Sequence, residues 1–263
     1  MRLIPFLFFG TLVLCGVSPV NGQQGRPTEK EATTAQVVAA MSAKTTSGSH
    51  DAYFEAVMGE KTLGFSVSTL APSENNGSNG YLYRSESLLH LPNGPRIEGK
   101  ATAHVNETFE PREVELRREV MMPDGKREVT VDRAEIGDKE VSLTRETDGD
   151  RASTRSVPRP ESPFAFAVEF LIQRVDATRF PVFALREFDP QKGGVIARHF
   201  KAESGTGDAR RLISREDDGS VGYTFEIDAK GVLVSWTEPP LPVVFKRCSR
   251  ERIEELRKSL QGR

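Results

Sequence analysis

Between Tyr53 and Phe245, apolar and polar residues alternate with a period of two, in runs broken by Gly, Asp or Pro. In EVELRREVMM, Val114, Leu116, Val120 and Met122 share one parity, while Glu113, Glu115, Arg117 and Glu119 share the other. Such alternation predicts strands with one buried and one wet face. Tyr81, Tyr83, Leu89 and Leu91 repeat the pattern, as do Ile97, Ala101, Ala103 and Val105. Near the end, Val221, Tyr223, Phe225 and Ile227 form the apolar set, followed by Val232, Val234 and Trp236. The phase slips between Val129/Val131 and Ala134/Ile136, which predicts a β-bulge near Arg133.

The breaks carry tight-hairpin chemistry: PDGK at 123, DGD at 148, DDGS at 217 and AKG at 229. Neighbouring strands are therefore antiparallel, since parallel neighbours would need intervening helices that the chain lacks. A turn at Asp124 and Gly125 sets Val120 opposite Val129 and Arg117 opposite Asp132, a favourable cross-strand pair. The outward faces are crowded with Glu, Arg and Lys, which discourages edge-to-edge association. With so many acids at strand spacing, no two stand out as a paired acid and nucleophile.

One stretch departs from this pattern. In PESPFAFAVEFLIQRV, residues 160–175, Phe164, Ala167, Val168, Leu171 and Val175 fall at helical spacing, with Ser162 placed to cap and Pro163 in the first turn. Phe166, Phe170 and Ile172 widen the apolar face, so a helix over 163–175 is expected inside a curved sheet rather than on its rim. A second helix is expected over 248–263, where Ile253, Leu256 and Leu260 form a thin stripe. The fold class is thus mainly β: a single curved antiparallel meander, a half-barrel, around one apolar helix, with a C-terminal helix.

The ends set the organisation. Residues 1–22 carry one charge, Arg2, and an apolar run before SPVNG, which reads as a secretory signal peptide; a retained signal anchor is the alternative. Leu14 stands where a small residue precedes a lipidated Cys, so a lipoprotein is not expected. The polar stretch 23–50 reads as a flexible spacer, with one or two helical turns around AQVVAAM. The antiparallel β domain then covers 51–247. A secreted or periplasmic location follows, with no transmembrane segment in the mature chain.

Composition excludes more than it selects. Lys and Arg number 36 against 38 Asp and Glu, and loss of Arg2 with the leader leaves the chain slightly more acidic, which argues against nucleic-acid binding. With Cys15 in the leader, Cys248 has no intramolecular partner, so there is no disulfide framework, and without a nearby His it reads as inert. His50, His90, His104 and His199 are scattered, giving no metal pattern, and no cofactor is implied. No G-x-S-x-G elbow, Walker loop or kinase signature is present. ESGTGD at 203 reads as a turn, and Asn76 and Asn106 begin N-x-S/T sequons.

Phe180, Phe183, Phe188 and Trp236 make the later half the aromatic-rich one. Either these residues are core, or Phe164, Phe166, Phe170, Leu171, Phe183 and Trp236 line a pocket for an apolar ligand between helix and sheet.

The opening YFEAVMGEKTLGFSVSTLAP, with Gly59 and Gly64 in a hairpin, and the later DAKGVLVSW resemble DUF3108-type exported proteins and the β-rich regions ahead of transglutaminase-like domains in planctomycete proteins. The arrangement is also broadly similar to the LolA/LolB lipoprotein-carrier half-barrel. The resemblance implies an exported, non-enzymatic β fold able to hold a hydrophobic group or contact an envelope protein. The Cys, His and Asp segments of a transglutaminase are missing. Three functions are consistent with the sequence: a binding or carrier module, for a lipid or other hydrophobic group; a structural or interaction module of the cell envelope; and a hydrolase whose site assembles only in three dimensions.

Overall fold

A computed structural model describes residues 31–42, 50–75, 78–150, 152–205, 209–216, 219–239 and 241–261. The expected signal peptide, the spacer residues 23–30 and 43–49, and Asn76 lie outside the described residues.

Fourteen strands form one antiparallel sheet. They are β1 (His50–Met58), β2 (Lys61–Asn75), β3 (Ser78–His90), β4 (Arg96–Asn106), β5 (Pro111–Met121), β6 (Arg127–Ile136), β7 (Glu140–Thr147), β8 (Ser153–Pro158), β9 (Val182–Asp189), β10 (Gly194–Ser204), β11 (Arg210–Glu216), β12 (Val221–Ile227), β13 (Leu233–Thr237) and β14 (Val244–Arg247). Their order is β8 through β1, then β14 down to β9, so the first and last strands pair at the centre and the chain meanders outward on each side. The two edges, β8 and β9, do not pair. They do approach: the turn before β10 brings Gly193 against Leu143 and Val157, and Arg155 donates to the Gln191 carbonyl at 3.1 Å.

The segment joining these two edges crosses the open side and fills the interior as a plug. Its helical part is shorter than the sequence pattern predicts. Only α2 (Val168–Leu171) and a 3₁₀ turn (Ile172–Arg174) are helical, not 163–175. Ser162 does not cap, because its hydroxyl donates to Glu110 at 3.0 Å. Ala165 is held extended beside β9, donating to the Arg186 carbonyl and accepting from Phe188 N–H. Phe164 through Ile172 are all buried, so their spacing had no wet face by which a helix could be told from a compact irregular run. The plug is tied on its other sides too, by Phe166 N–H to the Phe109 carbonyl and Leu233 N–H to Gln173 Oε1.

Residues 31–42, expected to belong to the spacer, carry α1 (Thr34–Ser42) docked on the β9 edge. Ala32 bonds Val182 and Ala184 there, and Val37 is fully buried. Together with Ala165, this covers donors and acceptors that a bare edge would expose. The C-terminal helix, α3 (Arg250–Gln261), is as expected and lies on the outer face, where Ile253, Leu256 and Leu260 meet Phe65 and Leu88.

Registers depart from the expected ones in two places. Arg117 faces Val131, and Leu116 faces Asp132, because the loop closing β5 and β6 holds three residues, 123–125, with Gly125 at φ 82. Such a loop shifts the pairing by one relative to a two-residue turn. There is no bulge near Arg133; β6 pairs without interruption. Thr130 and Asp132 share the inward parity with Ala134 and Ile136, and Arg145 pairs the buried Asp132 at 2.6 Å. A shift between Glu226 and Ile227 turns Leu233 fully inward in place of Val232 and Val234, and Val221 is exposed.

Gly64 of β2 leaves no room for a side chain against the backbone of β3. A Cβ there would lie 1.8 Å from the Leu88 carbonyl oxygen. Gly64→Ala is expected to cost about 3 kcal/mol, the upper end of overpacking, because backbone rather than a side chain must yield. Urea unfolding checks this; an unchanged midpoint would contradict it.

Candidate functional site

On the inward face, serine side chains cluster where β2 and β3 meet. There Ser66 pairs across from Ser87, and Ser68 from Ser85, all pointing inward beside Gly99 and Ala101 of β4. Four small hydroxyl residues opposite the rings of Phe54, Trp236 and Phe245 leave a hollow of about 40 Å3. That is room for about three waters or one small polar group. Tyr83, Glu169 from α2 and Glu238 after β13 complete its walls, and none of the residues lining it is a Lys, Arg or His.

Two of these groups are costly to bury. Glu169 is 5% exposed; its Oε1 accepts the Tyr83 hydroxyl at 2.8 Å, and its Oε2 has no hydrogen-bond partner. Ser87, 8% exposed, also leaves its Oγ without one. Burial raises the Glu169 carboxyl above its ordinary pKa, with bonds from Tyr83 and Ser68 acting in the other direction. Burial and the neighbouring Glu169 charge hold the Tyr83 phenol well above its usual range.

Glu238 connects the hollow to a buried charge network. Arg198, 2% exposed, donates through Nε to Glu187, through Nη1 to Glu216 at 3.0 Å and through Nη2 to the Tyr223 hydroxyl at 3.3 Å. Its guanidinium lies 4.3 Å from the Tyr223 ring centroid, and Gly222 provides the space it needs. Burial opposes its charge, but Glu187, Tyr223 and Glu216 keep its pKa above the ordinary arginine value. Burial likewise raises Glu187, against the attraction of Arg198.

Burial pushes Glu238 from 4.5 to about 7; Arg198 and Tyr223 oppose the shift, while Glu187 and Glu216 add to it. In the unfolded chain this carboxyl releases its proton near 4.5, whereas the fold retains it until about 7. The folded state therefore binds more protons in that window, and stability falls as pH rises through it. Glu238→Gln is expected to flatten that part of the profile, which melting curves taken from pH 4.5 to 8 would read. An identical slope in the variant would contradict the assignment.

Of the six residues expected to line an apolar pocket, Trp236 reaches this hollow, stacked on Phe245 at 3.9 Å. Phe166 borders a smaller gap of about 10 Å3 beside Tyr83, Ala101 and Leu116. Phe170 sets its edge against Tyr83 at 6.2 Å, Phe164 packs on Phe188 at 5.7 Å and Phe183 stacks on Phe200 at 5.0 Å. Leu171 is fully buried in the same core. The four serines and two glutamates were not anticipated. Their signal was present in FSVS and SES, serines on the parity that elsewhere is apolar, and in the single acid of FAVEFL.

A larger concavity, about 590 Å3 and open to solvent, lies on the outer face, with His104, Arg112, Glu113, Glu135 and Glu140 among its walls. Among the described residues, no three His, Cys, Asp or Glu are placed to hold a metal ion, and no helix is long and apolar enough to cross a membrane. Cys248 is half-buried, and burial raises its thiol pKa.

No family model matches the sequence, and no curated protein does. Among solved structures, the chain is similar to a β-barrel-like protein of domain of unknown function DUF1849 from Brucella abortus. The two are 12% identical with a TM-score of 0.49, over 76% of this chain and 94% of that one.

Proposed function

We propose that this chain is an exported, non-enzymatic binding module whose ligand occupies the hollow between the β2–β3 serines, Glu169 and Glu238. The observation that carries this reading is that two residues lining the hollow, Ser87 and Glu169, each bury a polar atom, Oγ and Oε2, with no protein partner. Leaving such a group unpaired costs about 1–3 kcal/mol, more for a charged one. An apolar side chain at either position would remove that cost, so a core selected for stability alone has no use for them. The hydroxyls here have no imidazole among the lining residues to activate them, which favours binding over nucleophilic chemistry.

Export rests on the apolar leader at 1–22. Kinship with DUF3108-type or LolA/LolB-type proteins rests on the Gly59–Gly64 hairpin and the curved meander. In a carrier of that kind an acyl chain would take the space that Phe164, Phe166, Phe170 and Leu171 fill here. The hollow as it stands suits a small polar molecule or the head of an amphiphile, and a lipid tail would have to displace the plug. Native mass spectrometry of residues 23–263 purified from a periplasmic extract tests the reading. A stoichiometric small-molecule adduct released on denaturation supports it, and a clean apo mass counts against it.

The outer cleft favours a second reading, an envelope interaction module, because its mixed charges suit a protein surface. Charge reversal at Arg112 and Glu135 would then abolish capture of the partner, while filling the interior would not.

A further inference from the structure

We propose that the interior hollow recognises a primary ammonium group on a small-molecule ligand, held by the Glu169 and Glu238 carboxylates and the β2–β3 serine hydroxyls. This rests on the binding-module reading above and names its ligand class. The lining residues present two acids and no cation, so once these acids ionise an anionic ligand meets only repulsion. A neutral hydroxyl ligand would leave the two acids without an opposite charge. Arg198 acts on Glu238 from outside the hollow, but it is not among the lining residues and its own hydrogen bonds go to Glu187, Glu216 and Tyr223, so Glu169 and Ser87 keep their open acceptors.

An –NH₃⁺ group carries three donors and no acceptor. The hollow matches it with acceptors: the unpartnered Oε2 of Glu169, the unpartnered Oγ of Ser87 and the carboxylate of Glu238. Trp236 and Tyr83 add ring walls of the kind that attract cations. Size narrows the class further. A hollow with room for about three waters takes an ammonium group, which is about the size of one water, together with the first carbons of its chain, whereas the five heavy atoms of tetramethylammonium exceed it. Ser66, Ser85 and Glu238 are half-buried, marking the mouth through which the rest of the ligand would extend.

Calorimetry and thermal shift on residues 23–263 at pH 8 test this with ethanolamine and ethylammonium, set against ethylene glycol, tetramethylammonium and potassium chloride. The two amines are expected to bind and raise the melting temperature, and the three controls are not. Glu169→Gln is expected to weaken amine binding on the order of tenfold, as loss of a charge-assisted bond does, with the circular dichroism spectrum unchanged. If that variant does not fold, Glu238→Gln at the mouth makes the same test. Equal response to potassium would mean an inorganic cation site and would overturn the proposal, as would no response to either amine. A non-amine adduct in the mass spectrum of the extracted protein would then leave the binding-module reading standing, whereas neither adduct nor amine response would remove both.

Discussion

Replacing Arg198 with Ala is expected to destabilise the protein by about 3–5 kcal/mol, the cost of removing one partner from a buried ion pair. Arg198 and Glu187 are each 2% exposed, so no solvent can take over when the guanidinium is gone. Glu187 would keep its burial and lose its counter-ion, and Glu216 and Tyr223 would each lose a donor. The deficit should depend on pH. Without Arg198, the Glu187 carboxyl would be raised further above its ordinary value of 4.5. The loss should be smallest at acid pH, where the carboxyl is protonated in both states, and should grow as pH rises through that value. Urea titrations near pH 4.5 and pH 8 would measure the difference. The double change Arg198→Met with Glu187→Leu should recover most of the loss, because it removes both buried charges at similar volume. A single variant as stable as wild type would mean that the network is hydrated rather than buried.

Phe170→Ala is the second large effect, also about 3–5 kcal/mol, from lost burial and the cavity left behind. Phe170 of α2 packs edge-on against Tyr83 of β3, whose hydroxyl donates to Glu169. The plug is tied to β9, to Phe109 and to β13, so the backbone around position 170 is not free to collapse into the gap. Chemical denaturation followed by tryptophan fluorescence is suitable, since Trp236 faces the same hollow. A cost below about 1 kcal/mol would mean that the segment packs loosely and can rearrange.

Strand parity was legible because each strand has one wet face: Tyr81, Tyr83, Ile97, Ala101, Ala103, Val114 and Leu116 are all buried, as alternation requires. The C-terminal helix was legible for the same reason, its stripe of Ile253, Leu256 and Leu260 standing out against charge. The plug was not, because a fully buried run has no polar side to report its period. The β5–β6 register depended on loop length, which PDGK leaves open between two residues and three. Pairing of β1 with β14 joins the two ends of the domain and leaves no local trace.

The site escaped for a different physical reason. A search for apolar faces passes over serine, and the hollow exists because small residues stand where large ones were expected. The expected bulge illustrates the same limit: Val129 and Val131 suggested a phase slip, whereas the polar Thr130 and Asp132 take the inward positions and Asp132 pairs with Arg145.

The most direct measurement compares the mass retained by wild-type protein with that retained by a Ser68→Val, Ser87→Val chain, both taken from the same periplasmic extract under native conditions. Valine at these positions fills the hollow and removes the unpaired Ser87 hydroxyl while leaving the sheet able to form. A ligand mass carried by the wild type and absent from the folded variant is the expected result. The same mass on both, or on neither, would contradict a binding site between the serines and the two glutamates.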